Sequence, residues 1–266
     1  MTYDVPAVPE RLHSTLVGVG MRPVVFLHGL FGQGINFTTL ARGLGDLATC
    51  WLIDLPNHGR SFWTDTISYD AMADAVADKV ARLPAPVILI GHSMGGRVAM
   101  RLALRRPDLV RSLAVLDTSV VDRGIDARYV GYVAAMNTLP LPRLRTRDEA
   151  DAALAPVCPD PAVRALLLQN LYRTADNSFA WRLNLEVLSR DLAIIGSWPP
   201  MDARFHGRTW WLVGENSERT HTLDATAMRY YFPLLRQVVI KGAGHWLHTD
   251  APEVTLRVLR AFLTQS

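Results

Sequence analysis

Residues 87–96 read VILIGHSMGG, an apolar run followed by a glycine-rich turn that contains a serine. The four apolar residues at its start predict a short strand buried on both faces. The G-x-S-x-G pattern that follows, with helical spacing after it, predicts a sharp strand-to-helix turn with Ser93 at the tip. Gly91 and Gly95 lack Cβ atoms, so the strand and the helix can approach each other closely there. We therefore expect the Ser93 hydroxyl to stand clear at the carboxyl edge of a sheet, near a helix N-terminus.

The chain on both sides of this turn alternates between short apolar runs and helical patterns. We predict strands at 23–27, 49–55, 87–90, 110–116, 209–213 and 237–240, and helices at 36–44, 68–83, 97–104 and 223–231. Such alternation predicts an α/β protein with a doubly wound, mostly parallel sheet. Residues 12–17 could add an antiparallel edge strand.

The alternation stops after Thr118, and residues 121–206 contain helical stretches and many prolines but no run typical of a buried strand. An insertion of this length is too long for a simple connection. We predict a core formed by residues 1–120 and 207–266, with 121–206 as a helical lid over the carboxyl edge of the sheet. Trp181 in this lid and His92 are the residues that we expect to contact the substrate.

The last helix is expected to open at Asp250, because the sequence Asp250-Ala251-Pro252-Glu253 resembles a capping box with proline in the first turn. His245 comes just before this helix, in a glycine-rich loop that follows the strand at 237–240. The loop can aim the imidazole back across the sheet edge, so His245 is the predicted general base. His248 is the rival, although a histidine at a helix entrance more often has a packing role.

Two acidic residues could orient the histidine. The usual position follows the strand at 209–213, but here the sequence is Gly214-Glu215-Asn216, with an asparagine where an acid is expected. A neutral amide cannot stabilise an imidazolium. Asp117 follows the strand at 110–116, which ends at the same edge, and it is preferred over Glu215.

The loop after the first predicted core strand contains His28, Gly29 and Leu30. We predict that the backbone N–H groups of Leu30 and Met94 form an oxyanion hole. His28 opens the turn, and we expect its ring to hold this loop rather than to take part in catalysis.

Charge and hydropathy limit the possible partners. The chain has 28 Lys plus Arg against 25 Asp plus Glu, and the arginines are scattered rather than gathered in a stripe. A nucleic-acid partner is therefore not expected. No apolar run reaches membrane-spanning length, and no secretory segment is recognisable, which favours the cytoplasm. We expect no metal or organic cofactor, and a monomer or homodimer.

Four segments together resemble the α/β-hydrolase family: residues 28–32, 54–61, 91–96 and 242–246. The turn at 57–59 and the acid at Asp117 look most like small YbfF-like bacterial esterases, in which the acid follows the strand after the nucleophile helix. The residues 181–185 in the lid look like the same branch.

The resemblance implies acyl transfer. Ser93 attacks an ester carbonyl, His245 takes its proton, Asp117 orients the imidazole, and water then releases the acid. Small carboxylic esters are the expected substrates, with lactones and thioesters as alternatives. A lid-specialised carbon–carbon bond hydrolase or perhydrolase, and a ligand receptor on a hydrolase scaffold, are the other hypotheses. An epoxide hydrolase or a dehalogenase would need aspartate in place of Ser93.

Overall fold

The structure is a computed structural model, and it describes residues 11–122, 124–218 and 224–265. Its strands are β1 (Ser14–Val17), β2 (Arg22–Leu27), β3 (Ala48–Ile53), β4 (Val87–His92), β5 (Val110–Leu116), β6 (Leu171–Arg173), β7 (Phe179–Trp181), β8 (Arg208–Gly214) and β9 (Leu235–Ile240). Its helices are α1 (Thr38–Gly43), α2 (Tyr69–Val80), α3 (Met94–Arg105), α4 (Ala127–Thr138), α5 (Arg147–Leu154), α6 (Pro161–Leu168), α7 (Leu185–Arg190), α8 (Leu192–Gly196), α9 (Asp224–Tyr231), α10 (Leu247–Asp250) and α11 (Pro252–Thr264).

Within these residues, seven strands form one sheet in the order β1-β3-β2-β4-β5-β8-β9. Only β1 is antiparallel to its neighbour, and the remaining pairs run parallel. The predicted α/β-hydrolase fold with a mostly parallel sheet is confirmed. Because parallel strands end at one edge, the residues that follow β2, β4, β5, β8 and β9 meet there.

The sheet is covered on both faces. Alternate residues of β2 show this, since Val25 and Leu27 belong to the cluster that includes α2 and α3, whereas Val24 and Phe26 pack with α1 and α11. All six residues of β4 are buried, as a strand at the centre of a doubly wound sheet requires. The turn that carries Ser93 therefore opens at the middle of the carboxyl edge.

The start of the last helix differs from the predicted one. The last helix does not open at Asp250: α11 has Ala251 as its N-cap, with no side-chain cap, and Asp250 ends the short helix α10. The Asp250 carboxylate accepts instead from the Gly244 N–H at 2.8 Å, so it supports the loop before His245. The predicted start of α9 at Leu223 lies outside the described residues.

The inserted segment, residues 121–206, contains α4 to α8 and an antiparallel hairpin formed by β6 and β7. The sequence did not predict this hairpin, because each strand has only three residues. Among the described residues, no helix has the length and apolarity needed to cross a membrane.

Candidate active site

Ser93 lies on a strained turn between β4 and α3. Its backbone has φ +52° and ψ −119°, a conformation that non-glycine residues rarely adopt. Close packing enforces it: a Cβ on Gly91 would lie 2.4 Å from the Gly95 carbonyl oxygen, and one on Gly95 would lie 2.4 Å from the Leu27 carbonyl oxygen. Both positions therefore require glycine.

His245 bridges the serine and a carboxylate. Its Nε2 lies 3.1 Å from Ser93 Oγ, and its Nδ1 lies 2.7 Å from Asp117 Oδ2. The Asp117 carboxylate can only accept, so the proton of the neutral ring is on Nδ1 and Nε2 is free to accept the serine proton. This arrangement is the one that a general base requires.

Asp117 is fully buried and held in one orientation. It follows β5 with φ +48°, and its own N–H donates to the Leu212 carbonyl at 2.8 Å. Its Oδ1 accepts from the Gly214 N–H at 2.9 Å, and the Ser217 hydroxyl donates to its Oδ2. These contacts fix the carboxylate against the imidazole.

Glu215 lies elsewhere, although it was the other candidate for the acid. Its side chain is exposed, and its Oε2 accepts from the Gly242 N–H at 2.9 Å. The structure therefore brings Asp117, not Glu215, to Nδ1 of His245.

The loop that contains Leu30 packs directly on the serine. A Cβ on Gly29 would lie 3.2 Å from the Ser93 Cβ, and Leu30 borders a small cavity together with Ser93. Met94 is the first residue of α3, where N–H groups have no partner within the helix. The His28 ring holds the loop as predicted, because its Nδ1 contacts the Gly29 carbonyl oxygen at 2.8 Å and its Nε2 accepts from the Leu55 N–H at 2.9 Å.

His92 is buried behind the general base. Its Nε2 lies 2.8 Å from the His245 carbonyl oxygen, an acceptor, so this nitrogen carries the proton. Burial, with the nearby His245 and His248, lowers the pKa of His92 well below its usual value. Burial also lowers the pKa of His248 to about 4. Both rings are neutral near pH 7, so neither places a second positive charge beside an imidazolium.

His92, which we expect to contact the substrate, borders the small cavity. Its Nε2–H is not free to donate to a substrate, because it already donates to the His245 carbonyl oxygen.

Two cavities meet at Ser93. The larger, about 290 Å³, is bordered by Ser93 and His245 and by Ile125, Tyr129 and Ile195 of the inserted segment. Arg128 lies at the same cavity and pairs with Asp126 and, at 3.4 Å, with Glu218. The smaller, about 20 Å³, is bordered by Leu30 and His92.

Trp181, which we expect to contact substrate, borders neither of these cavities. It lies in β7, where it pairs with Leu171 and is 9% exposed. Tyr129 in α4, and Ile125 just before that helix, border the larger cavity. Nothing in their sequence context could have identified them, because the contact depends on where α4 crosses the sheet edge.

Arg97 is a further residue at the site that the sequence did not identify. It lies in α3, is 7% exposed, and borders the larger cavity. Its guanidinium donates to the carbonyl oxygens of Val121 at 2.8 Å, Ile195 at 3.4 Å and Ser197. A single side chain on the helix after Ser93 therefore connects Val121, at the start of the inserted segment, with Ile195 and Ser197 at the end of α8.

No three His, Cys, Asp or Glu side chains come together as metal ligands within residues 11–122, 124–218 and 224–265. The groups available for chemistry at this edge are the serine, the histidine, the aspartate and the backbone N–H groups described above.

Comparison with known proteins agrees with this geometry. A profile of the alpha/beta hydrolase family matches residues 24–258. The sn-1-specific diacylglycerol lipase ABHD11 of Mus musculus is 35% identical, over 90% of this chain and 80% of the lipase. Esterase YbfF of Escherichia coli (strain K12) is 32% identical, over 91% of this chain and 92% of the esterase. A solved marine microorganism esterase has a TM-score of 0.90 at 31% identity, covering 95% of this chain and 99% of that one.

These similarities confirm the resemblance to YbfF-like esterases that the sequence motifs predicted. The profile spans most of the chain, and the relatives are more than 30% identical over nearly all of it. The chain belongs to the α/β-hydrolase family.

Proposed function

We propose that this α/β-hydrolase cleaves small carboxylic esters through an acyl-enzyme formed on Ser93. The observation that carries the proposal is that His245 contacts both other residues: its Nε2 lies 3.1 Å from Ser93 Oγ, and its Nδ1 lies 2.7 Å from Asp117 Oδ2. All three residues border one cavity. The names of the relatives, esterases and a lipase, support ester hydrolysis as the reaction class.

The chemistry follows from the positions of the protons. Ser93 Oγ attacks the ester carbonyl carbon while its proton passes to His245 Nε2, and Asp117 stabilises the imidazolium. The Leu30 and Met94 N–H groups receive the developing oxyanion. The same Nε2–H then protonates the leaving alcohol. In the second half of the reaction, His245 Nε2 takes a proton from water while the water oxygen attacks the acyl carbonyl carbon. The proton then passes to Ser93 Oγ, which releases the acid and restores Ser93.

The cavity favours a small acyl group. Its volume of about 290 Å³ is at the lower limit of ordinary ligand sites, which span about 300–1,000 Å³. Ile125, Tyr129 and Ile195 form its apolar side, and all three belong to the inserted segment. We therefore assign this segment, residues 121–206, the role of a lid that sets acyl length. Water is the second substrate, and the cytoplasm stays the predicted compartment.

The test is Ser93→Ala with Ser119→Ala as a matched control, because Ser119 borders the same cavity. We expect Ser93→Ala to abolish hydrolysis of p-nitrophenyl butyrate without changing the circular dichroism spectrum, and Ser119→Ala to keep most of the activity. An activated phosphonate should label Ser93 alone. Retention of most activity in Ser93→Ala would contradict the proposal.

A panel of substrates resolves the specificity. Esters of graded acyl length, a lactone and a thioester should be compared by kcat/KM. Highest activity on short acyl esters is expected, and preference for long acyl chains would contradict the assignment of the cavity as the acyl site.

A further inference from the structure

A separate cavity, here called the arginine cleft, lies between the β1 edge of the sheet and the hairpin of the inserted segment. Its volume is about 510 Å³, and four arginines border it: Arg60, Arg147, Arg173 and Arg182. Among the described residues, none that borders the cleft also borders the two cavities at Ser93. The cleft is therefore not part of the site assigned to ester hydrolysis.

Within the described ranges, the positive charges of the four arginines are not offset by ion pairs. In the part of the chain that the structure describes, none of the four guanidinium groups pairs with a carboxylate. Arg147 donates to the carbonyl oxygens of Leu168 and Leu171, and Arg173 donates to those of Asn177 and Arg145. Carbonyl oxygens satisfy N–H groups but leave the charge in place.

One acidic residue, Asp54, borders the cleft, and its carboxylate contacts groups other than the four guanidinium groups. Asp54 is buried, and its Oδ1 accepts from the Gly34 N–H at 2.7 Å. Its Oδ2 accepts from the Arg60 backbone N–H at 2.9 Å and lies 3.0 Å from His13 Nδ1. The carboxylate therefore holds the backbone of the Arg60 turn, and the Arg60 guanidinium has no acceptor in the part of the chain that the structure describes.

Arg182 is oriented without being neutralised. Its guanidinium carbon lies 4.6 Å from the centre of the Tyr172 ring, and Tyr172 also borders the cleft. This stacking fixes the plane of the guanidinium and leaves its N–H groups without an acceptor among the described residues. Like charges in one cleft repel each other, and an anion relieves that repulsion.

We propose that the arginine cleft binds a small polyanion that carries phosphate groups. Planar guanidinium groups match phosphate oxygens in pairs, and several arginines around one cavity suit more than one negative charge. The volume exceeds what a single inorganic ion would fill and is typical of a small-molecule site. The phosphate could belong to a soluble ligand or to a lipid headgroup.

The far wall of the cleft is connected to the Leu30 loop. Gln33 borders the cleft, and its Nε2 donates to Asn170 Oδ1 at 3.0 Å. Asn170 Nδ2 in turn donates to the Phe31 carbonyl at 2.7 Å. Gln33 therefore connects the wall of the cleft, through Asn170, with the loop that borders Ser93.

The test uses the full chain and inorganic pyrophosphate, measured by isothermal titration calorimetry at constant ionic strength. Arg60→Gln and Arg182→Gln remove the two guanidinium groups that make no hydrogen bond with the described residues. Arg82→Gln is the control with the same loss of charge, because Arg82 borders a different cavity. We expect each cleft variant to weaken binding about tenfold, the effect of losing one charge-assisted hydrogen bond, and Arg82→Gln to bind as the parent does.

A second arm distinguishes the source of the phosphate. Sedimentation with vesicles of equal parts phosphatidylcholine and phosphatidic acid is compared with vesicles of phosphatidylcholine alone. Pyrophosphate binding that depends on Arg60 and Arg182 supports a soluble ligand, and vesicle binding with the same dependence supports a headgroup. Absence of both, or equal weakening by Arg82→Gln, overturns the proposal. Ser93→Ala should bind pyrophosphate unchanged, so the outcome does not depend on ester hydrolysis.

Discussion

The ends of β5 and β8 lie side by side at the carboxyl edge, and each is followed by an acidic residue. Asp117, after β5, is fully buried and contacts His245 Nδ1 at 2.7 Å. Glu215, after β8, is exposed and accepts from the Gly242 N–H. Two neighbouring strand ends of the same sheet thus hold one acid against the histidine and the other in solvent.

The backbone explains the difference. Asp117 adopts a positive φ, and this turns a short carboxylate into the edge beside β8, where the Gly214 N–H and the Ser217 hydroxyl receive it. The Glu215 N–H instead continues the pairing with β9 by donating to the Ile240 carbonyl at 3.0 Å. The loop after β8 therefore supports the acid without supplying it.

Asp117→Asn should lower the activity more than any other substitution at these two strand ends. Asparagine tolerates the positive φ, so the backbone should keep its conformation. The amide removes the charge that stabilises the imidazolium and can favour the wrong ring tautomer, so kcat for ester hydrolysis should fall by about 10²–10⁴. Steady-state kinetics on p-nitrophenyl butyrate measures this. A loss of less than about tenfold would mean that Asp117 is not the acid.

Ser217→Ala should have an intermediate effect. It removes the hydroxyl that donates to Asp117 Oδ2 but leaves the contact with His245 in place. Loss of one hydrogen bond predicts a fall in kcat of about two- to tenfold. Ser217→Thr keeps a hydroxyl and should recover most of that activity. If threonine and alanine are equally impaired, the hydroxyl does not act through Asp117.

Glu215→Gln should have the smallest effect, within about twofold of the parent kcat. The glutamine carbonyl can still accept from the Gly242 N–H, so the loop keeps its support. The variant removes one carboxylate charge, as Asp117→Asn does, and is therefore the matched control for it. A hundredfold loss here, with a mild Asp117→Asn, would exchange the roles of the two strand ends.

The sheet was predictable from the sequence because strands buried on both faces are continuous apolar runs. The run at 110–116 matches β5 residue for residue. The turn at Ser93 was also predictable, since its glycines are required by local packing. The ends of less regular elements were not: the capping residues at 250–253 suggested a helix start, but Asp250 serves the Gly244 N–H instead.

The inserted segment shows why the remainder was not predictable. Its contact with the cavity depends on how α4 lies across the sheet edge, which no local pattern encodes. Trp181 belongs to the lid residues that resemble the YbfF-like branch, yet it packs within the hairpin while Tyr129 borders the cavity. In the same way, four arginines far apart in sequence looked scattered, and only the fold gathers them in one cleft.

Arg97 holds together two parts of the chain that are far apart in sequence. Val121 and Ser197 are both held by one guanidinium, and a Cβ on Gly196 would lie 2.1 Å from the Gly124 carbonyl carbon, so residues 121–197 begin and end at nearly the same point on the core. Insertions whose ends are close together can be exchanged without stretching the host. A chimera could keep Arg97 and replace the residues between these two junctions with the corresponding segment of a relative. Such a chimera would change the residues that the inserted segment contributes to the cavity and would keep Ser93, His245 and Asp117.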